Sequence, residues 1–262
     1  VKNKGSVILV VVLVCFFLAL TVVLTADTDT LFAPAPPTQV YAPTIPSADQ
    51  KVVCIAFDDG WKSHLDAASI LDKYGYKATY AIITSYVGYP AYMDWAQIRQ
   101  LAEKGNDIVS HTQTHCNLSA VGDGALQSEL VGSQETLRSH GYASDVLIYP
   151  YGEAATNDTV RAAVAKYYLL ARGTDWGKCN LPMLDRYNVE SYSIYRDTSI
   201  EAFATYLNGT VGNNVTVLFY HKVSDANQDN AVSLASFEAQ MQYLRDNGYI
   251  VRTVSEQFLK VQ

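Results

Sequence analysis

The run Val52-Val53-Cys54-Ile55-Ala56-Phe57 ends in two adjacent carboxylates, Asp58 and Asp59, followed at once by Gly60. Six apolar residues in a row predict a strand, Lys51–Phe57, that enters a core. Placing two like charges at the end of such a strand is costly unless one takes a proton, meets a cation or ligates a metal. About fifty residues on comes His111-Thr112-Gln113-Thr114-His115, two imidazoles at i and i+4. That spacing can put both rings on one side of a turn or short helix, aimed at one ion. The pieces together suit a divalent-metal hydrolase.

The rest of the chain alternates short apolar runs with amphipathic segments. Strands are expected at 51–57, 77–83, 107–110, 146–149, 168–171, 191–195, 215–220 and 249–253. Helices are expected at 61–74, 95–104, 125–139, 157–166, 200–207 and 234–246. Repeated β-α units predict an α/β fold, a parallel sheet with helices outside. In such folds the chemistry gathers at the carboxyl ends of the strands. Asp58 and Asp59, His111, Pro150 and Tyr151, Arg172 and His221 all fall at such ends.

Val7 to Leu24 is apolar throughout except for Thr21, with Lys2 and Lys4 before it and Asp27 and Asp29 after it. Its length predicts a membrane-spanning helix, and its flanks predict an extracytoplasmic chain beyond it. A run this long favours an uncleaved anchor over a cleaved signal peptide, the alternative that would make the protein secreted. Residues 27–50 hold Pro34, Pro36, Pro37, Pro43 and Pro46, five of the eight prolines, as in a semi-extended linker. The expected organisation is a membrane segment at 1–26, a linker at 27–50 and one catalytic domain at 51–262.

The net charge of −7 argues against nucleic acid as a partner. The four cysteines, Cys15, Cys54, Cys116 and Cys179, form no zinc-ribbon spacing, and Cys116 is expected as a small buried residue. Nineteen tyrosines are enough to line a carbohydrate groove, and equally consistent with a Tyr-rich core. Sequons occur at Asn117, Asn157, Asn208 and Asn214.

Phe57-Asp58-Asp59-Gly60, His111-Thr112-Gln113-Thr114-His115, Tyr149-Pro150-Tyr151-Gly152 and Leu218-Phe219-Tyr220-His221 stand in the order found in the polysaccharide deacetylases. The chain resembles this family, carbohydrate esterase family four, over about residues 51 to 255. The resemblance implies a distorted (β/α)7-type barrel, a single catalytic domain behind the N-terminal membrane segment. It implies Asp59, His111 and His115 as ligands of a divalent metal. Two imidazoles and a carboxylate suit Zn2+ first, with Co2+, Mn2+ or Ni2+ as alternatives. It further implies Asp58 as general base, His221 as general acid and the Tyr151 N–H as oxyanion donor. Leu218 would line the acetyl pocket, and Trp176 would border the substrate groove. The implied substrate is an acetylated amino-sugar glycan, with no protein partner.

One position departs from the family pattern. Many members carry Arg two residues before the proline of the third motif, and here Ile148 stands there. Arg172 and Arg186 are the candidates to partner Asp58, and Arg172 is placed among the substrate-binding residues. His64 and His140, in helical segments, are expected at the surface. Three other readings stay open: a non-haem iron site, a non-catalytic carbohydrate-binding relative, and a same-fold hydrolase of non-sugar amides.

Overall fold

A computed structural model describes residues 40–182 and 184–261. Tyr41–Gln262 is one folded unit. Its nine-stranded sheet is built from β1 (Lys51–Phe57), β2 (Thr79–Ile82), β3 (Asp107–Ser110), β4 (Val146–Ile148), β5 (Leu170–Arg172), β6 (Cys179–Asn180), β7 (Tyr192–Ser193), β8 (Asn214–Tyr220) and β9 (Tyr249–Arg252). The order is β5-β4-β3-β2-β1-β8-β6, with β9 paired to β1 and β7 to β8. All of these pairings are parallel except β6 with β8. The sheet curls into a half-barrel. Val189 bridges Arg172 of β5, and β7 just beyond it pairs with β8.

Every residue from Val52 to Phe57 is 0% exposed. Alternation explains how one strand buries both faces. Val53, Ile55 and Phe57 point outward into the layer shared with helices α1 (His64–Tyr74), α2 (Trp95–Glu103), α5 (Ile200–Leu207) and α6 (Leu234–Asp246). Val52, Cys54 and Ala56 point the other way, against Val109, Ile148, Val217 and Phe219. A third cluster packs α3 (Asp123–Ser139) and α4 (Asp158–Val164) on Leu147, Tyr149 and Ala171.

The helix starts follow their caps. Asp94 and Gln97 form a reciprocal capping box on α2. Ser199, Ser233 and Thr253 cap α5, α6 and α7 (Val254–Phe258) through their side-chain oxygens. The short α7 has no apolar period long enough to announce it. The helix expected from Trp61 begins at His64, because Asp59 and Gly60 both have positive φ and Trp61 forms an antiparallel bridge with Tyr92. Tyr41–Ala42, within the expected linker, pairs antiparallel with Lys260–Val261.

The membrane expectation is corrected. Among the described residues no helix is long and apolar enough to cross a membrane. The apolar run Val7–Leu24 itself lies outside the described residues. Membrane anchoring and a membrane partner therefore have no support.

Candidate metal centre

The carboxyl ends of β1, β3, β4, β5 and β8 surround one cavity of about 430 Å³. Asp58, Asp59, His111, His115, Tyr151, Trp176 and His221 all line it. Five non-glycine residues among those described have positive φ, and four of them cluster here: Asp59 (78°), Thr112 (64°), His115 (62°) and Tyr151 (63°). A left-handed backbone costs a residue with a Cβ about 1–2 kcal/mol, so its concentration at one cavity marks a functional site.

Asp59 lies two residues past the buried end of β1, where the left-handed turn swings its side chain toward the β3 end. Its Oδ1 lies 3.3 Å from His111 Nε2 and 3.3 Å from His115 Nε2. All three candidate ligand atoms fall within 4.8 Å of one another. His111 Nδ1 is 2.8 Å from the Ile148 carbonyl oxygen. A carbonyl only accepts, so Nδ1 carries the proton and Nε2 keeps its lone pair toward Asp59. Burial alone would raise the Asp59 carboxyl, but the close contacts with His111 and His115, which are hydrogen bonds when those rings are protonated, outweigh it and hold the group far below the usual carboxylate range. Burial alone would lower His111, yet the Asp59 contact and the Asp58 charge bring it above its ordinary value. A carboxylate oxygen beside two imidazole nitrogens fits a divalent cation.

The loop between the histidines is held from below. Glu129, buried on α3, accepts hydrogen bonds from Gln113 N (2.9 Å), Thr114 N (2.8 Å) and Thr114 Oγ1 (2.5 Å). His115 N donates to Thr112 Oγ1, and Thr112 N to Ser110 Oγ. This residue was not foreseen, although Leu126, Glu129, Leu130, Ser133 and Leu137 share one helical face. A carboxylate on that apolar face was the available signal.

Asp58 meets Arg172, which is 0% exposed. Arg172 Nη2 donates to Asp58 Oδ1 at 2.6 Å, and its guanidinium lies 4.2 Å over the Phe219 ring. It is therefore a partner of Asp58 beneath the cavity, with no surface to offer a substrate. Arg186 instead donates to the Tyr41 carbonyl. The Asp58 main-chain N–H continues the strand ladder to Tyr220 O.

Leu218 and His64 stand where the sequence reading did not put them. Leu218 is fully buried in the outer layer, while Phe219 lines the cavity. Period-2 alternation back from His221 selects Phe219, not Leu218. His64, expected at the surface, is 0% exposed and packs on Phe57 and Tyr80. Its Nε2 donates to the main-chain carbonyl of His221 at 2.5 Å. Burial pulls His64 down to about 4, so its ring is neutral. The signal was its place three and seven residues before Ala67 and Leu71 on the apolar face of α1. His140 is half-buried against the Trp95 ring, and Cys116 is half-buried rather than buried.

The exposed aromatics gather at the same mouth. Tyr151, Trp176 and Tyr195 are 61%, 60% and 42% exposed and line the cavity. Gly152, at φ 80°, permits the turn behind Tyr151, since a Cβ there would meet Thr174 Oγ1 at 1.8 Å.

The polysaccharide deacetylase family model matches residues 46–170. YxkH of Bacillus subtilis (strain 168), provisionally named a polysaccharide deacetylase, is 32% identical over 130 residues, 49% of this chain and 46% of that protein. A peptidoglycan-N-acetylglucosamine deacetylase of Bacillus cereus is 28% identical over 127 residues, 47% of this chain and 44% of its own. The chain thus spans about half the length of these curated relatives. The crystal structure of a polysaccharide deacetylase from Bacillus cereus superposes with a TM-score of 0.54 at 26% identity, covering 59% of this chain and 50% of that one. The matched span runs through the strands that carry Asp58, Asp59, His111 and His115, and over residues 46–170 the chain is similar to the polysaccharide deacetylase family.

Proposed function

We propose that the protein is a metal-dependent hydrolase that removes N-acetyl groups from an amino-sugar polymer or oligomer. The observation that carries this reading is a second carboxylate, Asp58, locked to a buried arginine beside the Asp59, His111, His115 triad. A metal-binding protein needs the triad alone; a hydrolase needs a base next to it. The B. cereus relative's name, peptidoglycan-N-acetylglucosamine deacetylase, supports an acetylated glycan as the substrate class. The exposed aromatic mouth supports it independently, because sugar C–H faces stack on such rings.

Asp59, His111 and His115 would hold a divalent ion, which when bound polarises an amide carbonyl and lowers the pKa of a water. Asp58 accepts the proton of that water as its oxygen attacks the acetyl carbon. Arg172 keeps the carboxylate in place and balances its charge through the transfer. The Tyr151 main-chain N–H donates to the carbonyl oxygen as charge develops there. His221 gives a proton to the departing nitrogen, the C–N bond breaks, and acetate and a free amine result. Zn2+ suits the donor set, and Co2+, Mn2+ or Ni2+ would fit the same atoms.

The test is acetate release from N-acetylglucosamine oligomers by the chelated protein, with and without Zn2+ or Co2+. Metal-restored release supports the deacetylase reading. Stoichiometric metal binding with no release from any acetylated glycan overturns the substrate class and leaves an amide hydrolase of another kind. Absence of metal binding overturns the triad.

A further inference from the structure

Asp59 has two oxygens, and only one faces the imidazoles. Oδ1 is the atom 3.3 Å from both Nε2 atoms. Oδ2 accepts a hydrogen bond of 2.8 Å from the indole Nε1 of Trp61. An indole N–H is a donor only, so it cannot reverse its role and release that oxygen to act as a second ligand.

The indole is itself held by two ring contacts. Tyr92 stacks on one side, with ring centroids 4.3 Å apart and planes 22° apart. The Lys222 ammonium lies 4.1 Å from the centroid of the Trp61 ring. The main chain adds an antiparallel bridge between Trp61 and Tyr92, and Tyr86 packs edge-on against Tyr92 at 5.1 Å. Lys222 is the residue after His221, and its ammonium also donates to Gln228 Oε1. One ring therefore connects the carboxylate ligand to the segment that carries the proposed acid. Trp61 lies outside the four motifs that carry the family resemblance, the first of which ends at Gly60.

We propose that Trp61 is a positioning residue that holds Asp59 to single-oxygen ligation of the divalent ion. The inference rests on the metal-dependent reading of the site. Its consequence is a coordination sphere with three protein atoms and open positions for a water and a substrate carbonyl. A carboxylate free to turn would take a second position and leave room for only one of them.

The test uses Co2+, whose visible bands are weaker at higher coordination number. The full chain is chelated and titrated with Co2+, and X-ray absorption is recorded on the loaded wild type. Trp61→Phe keeps a ring beside Tyr92 and Lys222 but lacks the N–H. It is expected to bind Co2+ roughly 10–100-fold more weakly, as outer-shell partners of metal ligands do. Its visible bands are expected to weaken, while the metal-free thermal midpoint stays near wild type. Tyr92→Leu removes the stack and keeps the N–H, and is expected to retain the wild-type bands. Wild-type X-ray absorption is expected to show one oxygen from Asp59 at bonding distance, a result that does not depend on any variant folding. Two Asp59 oxygens in that shell, a Trp61→Phe protein with wild-type affinity and bands, or equal changes in Trp61→Phe and Tyr92→Leu would each overturn the inference. A wild type that binds Co2+ and releases acetate while Trp61→Phe behaves identically sinks this inference alone. A wild type that binds no Co2+ sinks the metal-dependent reading together with it.

Discussion

Arg172 stands directly opposite Ile148 in the parallel pairing of β5 with β4, and from there its Nη2 reaches Asp58 at 2.6 Å. Many family members place an arginine at the position of Ile148. Here the guanidinium comes from the neighbouring strand and arrives at the same carboxylate. Arg172→Met should leave Asp58 as a buried charge without a partner and destabilise the fold by about 3–5 kcal/mol. Turnover should fall at least about 100-fold, while Co2+ affinity changes little. Returning the arginine to its usual strand, in the double variant Ile148→Arg with Arg172→Ile, should recover part of both losses. Urea unfolding and acetate release measure the two effects. An Arg172→Met protein with wild-type turnover removes Arg172 from the mechanism.

Glu129 organises the histidine loop without touching the candidate metal. Its carboxylate takes two main-chain N–H groups and the Thr114 hydroxyl. Glu129→Gln keeps the shape but replaces one acceptor oxygen with an NH2 group that faces donors. The loop should loosen, weakening Co2+ binding roughly 10–100-fold and destabilising the protein by about 1–3 kcal/mol. Isothermal titration with Co2+ checks the first. Unchanged affinity would show that the loop is held by Thr112, Ser110 and its own strained turns.

How far the sequence carried the argument differs from element to element. Asp58, Asp59, His111 and His115 were legible because a carboxylate pair closing an apolar strand and a His-x3-His spacing have few other uses. Their strands were legible because a strand buried on both faces leaves a continuous apolar run. The Arg172 partnership was narrowed to two arginines and no further, since it depends on which side of β5 faces β1, and three short residues of strand carry no such signal. Leu218 and Phe219 are both apolar, so composition cannot choose between them; counting back by twos from His221 can. His64 is expected at the surface and Glu129 carries no reading, although their spacing with Leu71 and with Leu126 and Leu130 places both inward. Trp61 was taken as the start of a helix, and two successive positive φ angles put it on Asp59 instead.

If the protein removes acetyl groups as proposed, the side of β8 that faces the cavity should set acyl selectivity. Phe219 lines the cavity and supports both Arg172 and His221, with ring contacts at 4.2 Å and 5.7 Å. Phe219→Ala should enlarge the space beside the acyl group and raise release of butyrate relative to acetate from matched N-acylated sugars. Leu218→Ala should destabilise the fold by about 2–5 kcal/mol with the butyrate-to-acetate ratio unchanged. A shift in that ratio in Leu218→Ala, and none in Phe219→Ala, would reverse the assignment.

The burial of His64 should make the fold acid-sensitive. Burial lowers it to about 4, against an ordinary value of 6.5. The unfolded chain therefore binds this proton before the folded chain does. The contribution of His64 is full above about pH 6.5, declines as pH falls toward 4, and is gone below that. A shift of this size corresponds to about 3 kcal/mol at neutral pH. Wild-type unfolding free energy should thus drop between pH 6.5 and 4 by more than in His64→Gln, whose amide retains a donor for the His221 carbonyl but does not titrate. The comparison is a pair of urea curves at pH 7 and pH 4 on each protein. Equal losses in both proteins would mean that His64 gains a proton in the folded state as readily as in the unfolded one, and that its burial between Phe57 and Tyr80 does not exclude the charge.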